Sequence, residues 1–190
     1  SLKHRDLKQV LNITHAFVSN VIIKTLTCFF ASTDHLILMK HVPEMFTNSM
    51  LRHYSYTTDK ILVEARRLFE AMKRQFDSKK KNNNSAASSS NSNDFNDNTK
   101  VPITHDFYFK MFQLSNTRIE GYDIIFVDEA QDTSDVQLGI LLQQCRYNQS
   151  DQVKHKTSIV LVGDSHQQIY SFRGAVNAMQ KIACSKTFFL

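Results

Sequence analysis

Glycine and proline are scarce in this chain of 190 residues: it has four glycines and two prolines, where average usage of about 12% for the pair would give roughly 23. Turns should be few and helices favoured. Gly121, Gly139, Gly163 and Gly174 are too dispersed to build a G-x-x-x-x-G-K-[ST] phosphate loop or a G-x-G-x-x-G dinucleotide turn. Any nucleotide bound here must take its phosphate contacts from elsewhere. The three cysteines, Cys28, Cys145 and Cys184, lie far apart with no C-x-x-C, which excludes a disulfide framework and a zinc ribbon and makes a reducing compartment the expectation. Long apolar runs are also missing. The oiliest stretch, residues 10–30, is interrupted by Asn12, His15, Asn20 and Lys24, so it falls short of the ~20 apolar residues of a membrane span. It lacks the basic start and small-residue cleavage site of a signal peptide. A soluble, intracellular protein with no membrane partner is expected.

What is present is globular in composition, with 42% apolar residues and 23 basic against 18 acidic side chains. The chain opens on Ser1 and stops in the apolar run Thr187-Phe188-Phe189-Leu190, so an excised or incomplete piece is expected. Residues 78–100 read SKKKNNNSAASSSNSNDFNDNTK, in which 13 of 23 residues are Ser or Asn and Phe95 is the one large apolar side chain. Such a tract offers little hydrophobic gain against the entropy of ordering it, and it reads as a disordered linker between residues 1–77 and 101–190. The basic surplus lies before residue 101, with 15 basic and 9 acidic side chains against 8 and 9 after it.

In the first part, Val10, Ile13, Phe17, Val21 and Cys28, with Val18, Ile22, Leu26 and Phe29, recur every three to four residues, predicting one amphipathic helix. A second is predicted over residues 60–76, where Ile61, Ala65, Leu68, Met72 and Phe76 form one stripe. Arg66, Arg67, Lys73 and Arg74 make its wet face, which by charge alone is a solvated surface before it is a nucleic-acid contact. The second part alternates. Residues 104–114 look helical with Thr104 as N-cap, residues 122–128 and 157–163 read as buried parallel strands, and Ser134 or Asp135 caps a helix between them. A helix over 175–183 and a third strand from Thr187 complete the pattern, which predicts an α/β parallel sheet.

Chemistry concentrates at two strand ends. Asp128 and Glu129 follow four apolar residues and so emerge at a carboxyl end, where α/β folds bind ligands. One carboxylate there can hold Mg²⁺ and the next can deprotonate a water, although a strand ending on solvated acids looks the same in isolation. The second strand runs into Gly163-Asp164-Ser165-His166-Gln167-Gln168-Ile169-Tyr170-Ser171-Phe172-Arg173-Gly174. The Gln167 amide lies within reach of a phosphate or an attacking water, and Tyr170, Phe172 and Arg173 offer two rings and a guanidinium on which unpaired bases stack. Taken singly, the two rings read as core residues; Arg173 beside them near a nucleotide edge favours the stacking surface.

IIFVDEAQD at 124–132 and VGDSHQQIYSFRGA at 162–175 resemble motifs II and III of superfamily 1 DNA helicases of the UvrD/Rep/PcrA type. HVP at 41–43, THDFYFKMFQL at 104–114 and HQQIYSFRGAVNA at 166–178 look most like the F-box DNA helicase family. The resemblance implies the later part of a RecA-like motor domain, preceded by a mostly helical insertion subdomain at 1–77. It implies ATP and Mg²⁺ as cofactors and single-stranded DNA as partner. Asp128 would hold Mg²⁺ through water and Glu129 would be the catalytic base. Gln131, Asp132 and Asp164 would serve the nucleotide, Gln167 would sense the γ-phosphate, Tyr170 and Phe172 would stack on DNA, and Arg173 would link the two sites. It further implies a nuclear, 3′-to-5′ helicase or translocase of repair or recombination, inactive as this piece alone because the Walker A loop and the second motor domain are missing from it. Ubiquitin-ligase partners follow from family analogy only, since no F-box is visible. The rival reading is a pseudo-helicase that binds DNA or protein without turnover.

Overall fold

A computed structural model describes residues 2–46, 48–84, 101–149, 157–169 and 175–188. The chain divides into two compact units, one of Ser1–Phe29 with Asp34–Tyr108, the other of Phe30–Thr33 with Phe109–Leu190.

The first unit is helical among the described residues. Helix α1 (His4–Leu11) and helix α2 (Ala16–Ala31) replace the single helix expected over residues 10–30. Asn12 is the reason: it sits in the left-handed region at φ 56° and ends α1, a conformation Asn adopts more readily than most residues. The two helices meet at 95°. Val18, Val21, Ile22, Leu26 and Phe29 of α2 are fully buried, as are Ile61, Ala65, Leu68 and Met72 of α4 (Thr58–Asn84). Cys28, placed by periodicity on the core stripe, is exposed. Short helix α3 (Asn48–His53) precedes α4, and the ring of Phe69 joins those of Phe29 (5.3 Å) and Phe107 (5.9 Å) in an aromatic row. His41 of the HVP motif is buried too. Its Nδ1 accepts from the Leu38 N–H at 2.9 Å, so its Nε2–H faces Asp34 Oδ2 at 2.9 Å. The Lys40 ammonium, and then His41, hold the Asp34 carboxyl below its ordinary range. Those contacts make HVP a packing element.

Helix α4 runs on to Asn84, into the Ser/Asn tract, because extending an established helix is cheap compared with starting one. Residues 85–100 of the predicted linker lie outside the described residues. Beyond them the chain returns to α4: the Gln75 amide donates to Val101 O at 3.0 Å and accepts from Val101 N at 2.9 Å. The tract therefore leaves and rejoins the same unit. Thr104 caps α5 (His105–Ser115) as expected, its hydroxyl accepting from the Phe107 N–H at 3.3 Å.

In the second unit β1 (Ile124–Val127) pairs in parallel with β3 (Ser158–Leu161), Ile124 opposite Ser158 and Val127 opposite Leu161. Helix α6 (Asp135–Gln149) makes the crossover such pairing requires. Strands β2 (Thr133–Ser134) and β4 (Ala175–Val176) form a short antiparallel pair, followed by α7 (Ala178–Lys181). The expected helix over 175–183 thus begins later, because Ala175–Val176 pair with β2 and Asn177 caps α7 by accepting from the Met179 N–H at 3.1 Å. No strand forms at Thr187 or Phe188, and Phe188 is exposed. Phe189 and Leu190 lie outside the described residues. Both long strands were expected to be buried on two faces. One face is partly buried: Val127, Ile159 and Leu161 pack on Ala130, Leu138, Leu141, Ala178 and Ile182. The other exposes Ile124 (47%) and Phe126 (68%) of β1 and Val160 of β3, because side chains alternate across a sheet and nothing among the described residues covers that side.

Candidate functional site

The site is built where β1 and β3 end. Val162 donates its N–H to Val127 O at 2.8 Å and accepts from the Ala130 N–H at 2.9 Å. The two bonds bracket Asp128 and Glu129, which leave the ladder as a two-residue outward step. Glu129 makes the turn at φ 51°, ψ 42°, a left-handed conformation that costs a non-glycine residue ~1 to 2 kcal/mol. Non-glycine strain of this kind concentrates at functional positions. Both carboxylates are exposed, and Asp128 Oδ1 accepts from the Glu129 N–H at 2.9 Å.

After the step, a 3₁₀ turn over Ala130–Asp132 leads into α6. Ser134 and Gln137 form a reciprocal cap: the Ser134 N–H donates to Gln137 Oε1 at 2.9 Å and the Gln137 N–H reaches Ser134 Oγ at 3.4 Å. Beside this turn opens a cleft of about 410 Å³, with Asp128, Glu129, Asp132, Thr133 and Gln137 on its polar side and Phe109 among its apolar walls.

The end of β3 supplies the second half. Asp164 caps the turn Ser165–Gln167: Oδ1 accepts from the His166 N–H at 2.9 Å and Oδ2 from Gln167 Nε2 at 3.0 Å. The His166 N–H, followed by the Gln167 amide, holds the Asp164 carboxyl below its ordinary range. Gln131 and Asp132 tie the two halves, and Gln131 also holds Glu129 within the first. Gln131 Nε2 donates to Glu129 Oε2 at 2.6 Å, Gln131 Oε1 accepts from the Asp164 N–H at 3.1 Å, and Asp132 Oδ1 accepts from the Ile169 N–H at 3.2 Å.

The structure therefore brings together Asp128, Glu129, Gln131, Asp132, Asp164 and Gln167. Tyr170, Phe172 and Arg173 lie outside the described residues. Gly163 was not singled out from sequence. Its position directly after a predicted strand was the available signal, and the need for it appears only when Gln131 is seen packed against its Cα.

No group of three or more His, Cys, Asp or Glu side chains is placed to hold a metal among the described residues. Mg²⁺ does not need one, since it keeps several waters and takes one or two carboxylates plus substrate phosphates. An exposed Asp128 on the rim of an open cleft fits that mode.

The model of the UvrD/REP helicase N-terminal domain family matches residues 4–183. F-box DNA helicase 1 of Gallus gallus is 34% identical over 170 residues, covering 88% of this chain and 14% of that protein. F-box DNA helicase protein 1 of Schizosaccharomyces pombe is 38% identical over 79 residues, 40% of this chain and 8% of that protein. No solved structure matches. The chain thus spans a small part of the length of the curated relatives it matches, and the match over nearly its whole length shows that it belongs to the UvrD/REP helicase N-terminal domain family.

Proposed function

We propose that this chain is part of the first RecA-like motor domain of an ATP-dependent DNA helicase or translocase, moving 3′ to 5′ on single strands in repair or recombination. One observation carries the reading: two parallel neighbouring strands end in an acid pair and in a Gln-bearing turn, and Gln131 bonds the first to the second. Adjacent carboxyl ends of a parallel sheet are where such folds hold ligands. ATP and Mg²⁺ supply the phosphoanhydride and the charge neutralisation on which phosphoryl transfer depends.

The chain's own residues then divide the work. Asp128 would hold Mg²⁺ through water, Glu129 would take the proton of the attacking water, and the Gln167 amide would sense the terminal phosphate. Asp164 sets the Gln167 amide through the 3.0 Å bond, and Asp132 holds the motif III segment at Ile169. Tyr170 and Phe172 would provide the base-stacking surface, and Arg173 would link DNA to the nucleotide. The phosphate loop and the second motor domain belong to other parts of a longer protein. Of the basic face on α4, Arg66 donates to Ile37 O at 2.8 Å and Arg67 pairs with Glu64 at 3.0 Å, so those two cations serve the fold.

The reading is tested by titrating Mg²⁺ against ATPase activity of the full-length protein and its Asp128→Asn variant. A carboxylate acting on the metal through water should, when neutralised, raise the Mg²⁺ needed for half-maximal rate by ~10- to 100-fold. An unchanged Mg²⁺ requirement would make Asp128 a solvated strand end.

A further inference from the structure

Gln131 is 2% exposed, and both ends of its amide are used. We propose that Gln131 is a positioning residue that fixes the Glu129 carboxylate, and that Gly163 is required because its missing side chain makes the space Gln131 occupies. The inference rests on the reading of Glu129 as the base.

The orientation of the amide follows from its partners. The Asp164 N–H can only donate, so it must face Oε1, which turns Nε2 toward a carboxylate that can only accept. A neutral side chain of this length with a donor and an acceptor at one tip is glutamine. Its partner Glu129 is otherwise exposed and stands on a left-handed backbone step, so the 2.6 Å bond to its Oε2 is the restraint that selects among its rotamers. Hydrogen bonds to an ionised group are about twice as strong as neutral ones. The same amide holds the backbone of Asp164, whose carboxylate holds Gln167. Glu129 and Gln167 are thus oriented by one continuous chain of bonds, Glu129–Gln131–Asp164–Gln167.

Gly163 has no left-handed conformation to explain it. Space does. A Cβ built there falls on Gln131 Oε1, far inside the 3.0 Å that real contacts respect, while Ala130 N and Met179 Sδ stand at 3.0 and 3.1 Å, where a shift of a few tenths gives relief. Any side chain at 163 therefore displaces the amide first.

The test is steady-state kinetics of the full-length protein with single-stranded DNA, using Glu129→Gln, Gln131→Met, Gln131→Ala, Gly163→Ala and the Gln131→Ala/Gly163→Ala pair. Gln131→Met keeps the length and loses both hydrogen bonds. It should lower kcat by ~10- to 100-fold through a misplaced base. The KM for ATP and the DNA affinity should move less than ~3-fold, because both ends of the amide are taken by Glu129 and Asp164. Gly163→Ala should reproduce that loss in the native background and cost less than ~3-fold once Gln131 is already Ala. A Gln131→Met enzyme at native kcat, or losses that add in the double variant, would overturn the proposal. If Gly163→Ala does not fold, Gln131→Met alone decides it. Turnover retained by Glu129→Gln is a separate failure, that of the base assignment.

Discussion

In the full-length protein, Glu129→Gln is expected to lower ATP turnover by ~10² to 10⁴-fold, the usual contribution of a positioned general base. ATP affinity should stay within a few-fold of native. The amide has the shape of the carboxylate and keeps an oxygen for Gln131 Nε2, so the outward step at Asp128–Glu129 should persist. It cannot accept the water's proton. Rapid-quench measurement of a single turnover, alongside equilibrium binding of ATP, separates the two quantities. Loss of binding with loss of rate would instead make Glu129 structural.

Phe172→Ala should weaken single-strand binding by ~1 to 3 kcal/mol per stacked base, leaving ATPase without DNA intact. Phe172 has a ring face and no polar group, so stacking is what it can add. Tyr170 and Phe172 alternate with Ser171, which in an extended segment turns both rings the same way. Gln167→Ala should behave oppositely, because its amide belongs to the turn capped by Asp164 at the strand end. DNA affinity should survive and DNA-stimulated turnover should fall. Fluorescence anisotropy with a labelled oligonucleotide and a coupled ATPase assay read the pair. Unfolding of Phe172→Ala, with no selective DNA defect, would place Phe172 in the core.

The strand ends were legible because their signal is local. An apolar run closed by two acids marks the carboxyl end of β1, and the run closed by Gly163-Asp164 marks that of β3, which the pairing of Ile124–Val127 with Ser158–Leu161 bears out. The long helices were legible from periodicity, since a buried stripe such as Ile61, Ala65, Leu68 and Met72 is written directly in the spacing. Features decided by distant neighbours were not. One left-handed Asn12 divides a continuous apolar pattern into α1 and α2. Ala175–Val176 pair as a strand only because Thr133–Ser134 lie beside them. The run Ile124–Val127 looks uniformly buried, yet the pleat sends Phe126 outward at 68% exposure. The role of Gly163 is equally invisible in one dimension, because it depends on Gln131, 32 positions earlier.

On the proposed reading, the acid pair and the Gln167 turn form part of a working nucleotide site driven by DNA. Steady-state ATP hydrolysis by the full-length protein, measured with and without single-stranded DNA and against its Glu129→Gln variant, tests it most directly. Hydrolysis that rises on adding single strands and is lost in Glu129→Gln is the predicted result. Tight DNA binding with no turnover above that variant would contradict it and make the protein a non-catalytic relative of the helicases.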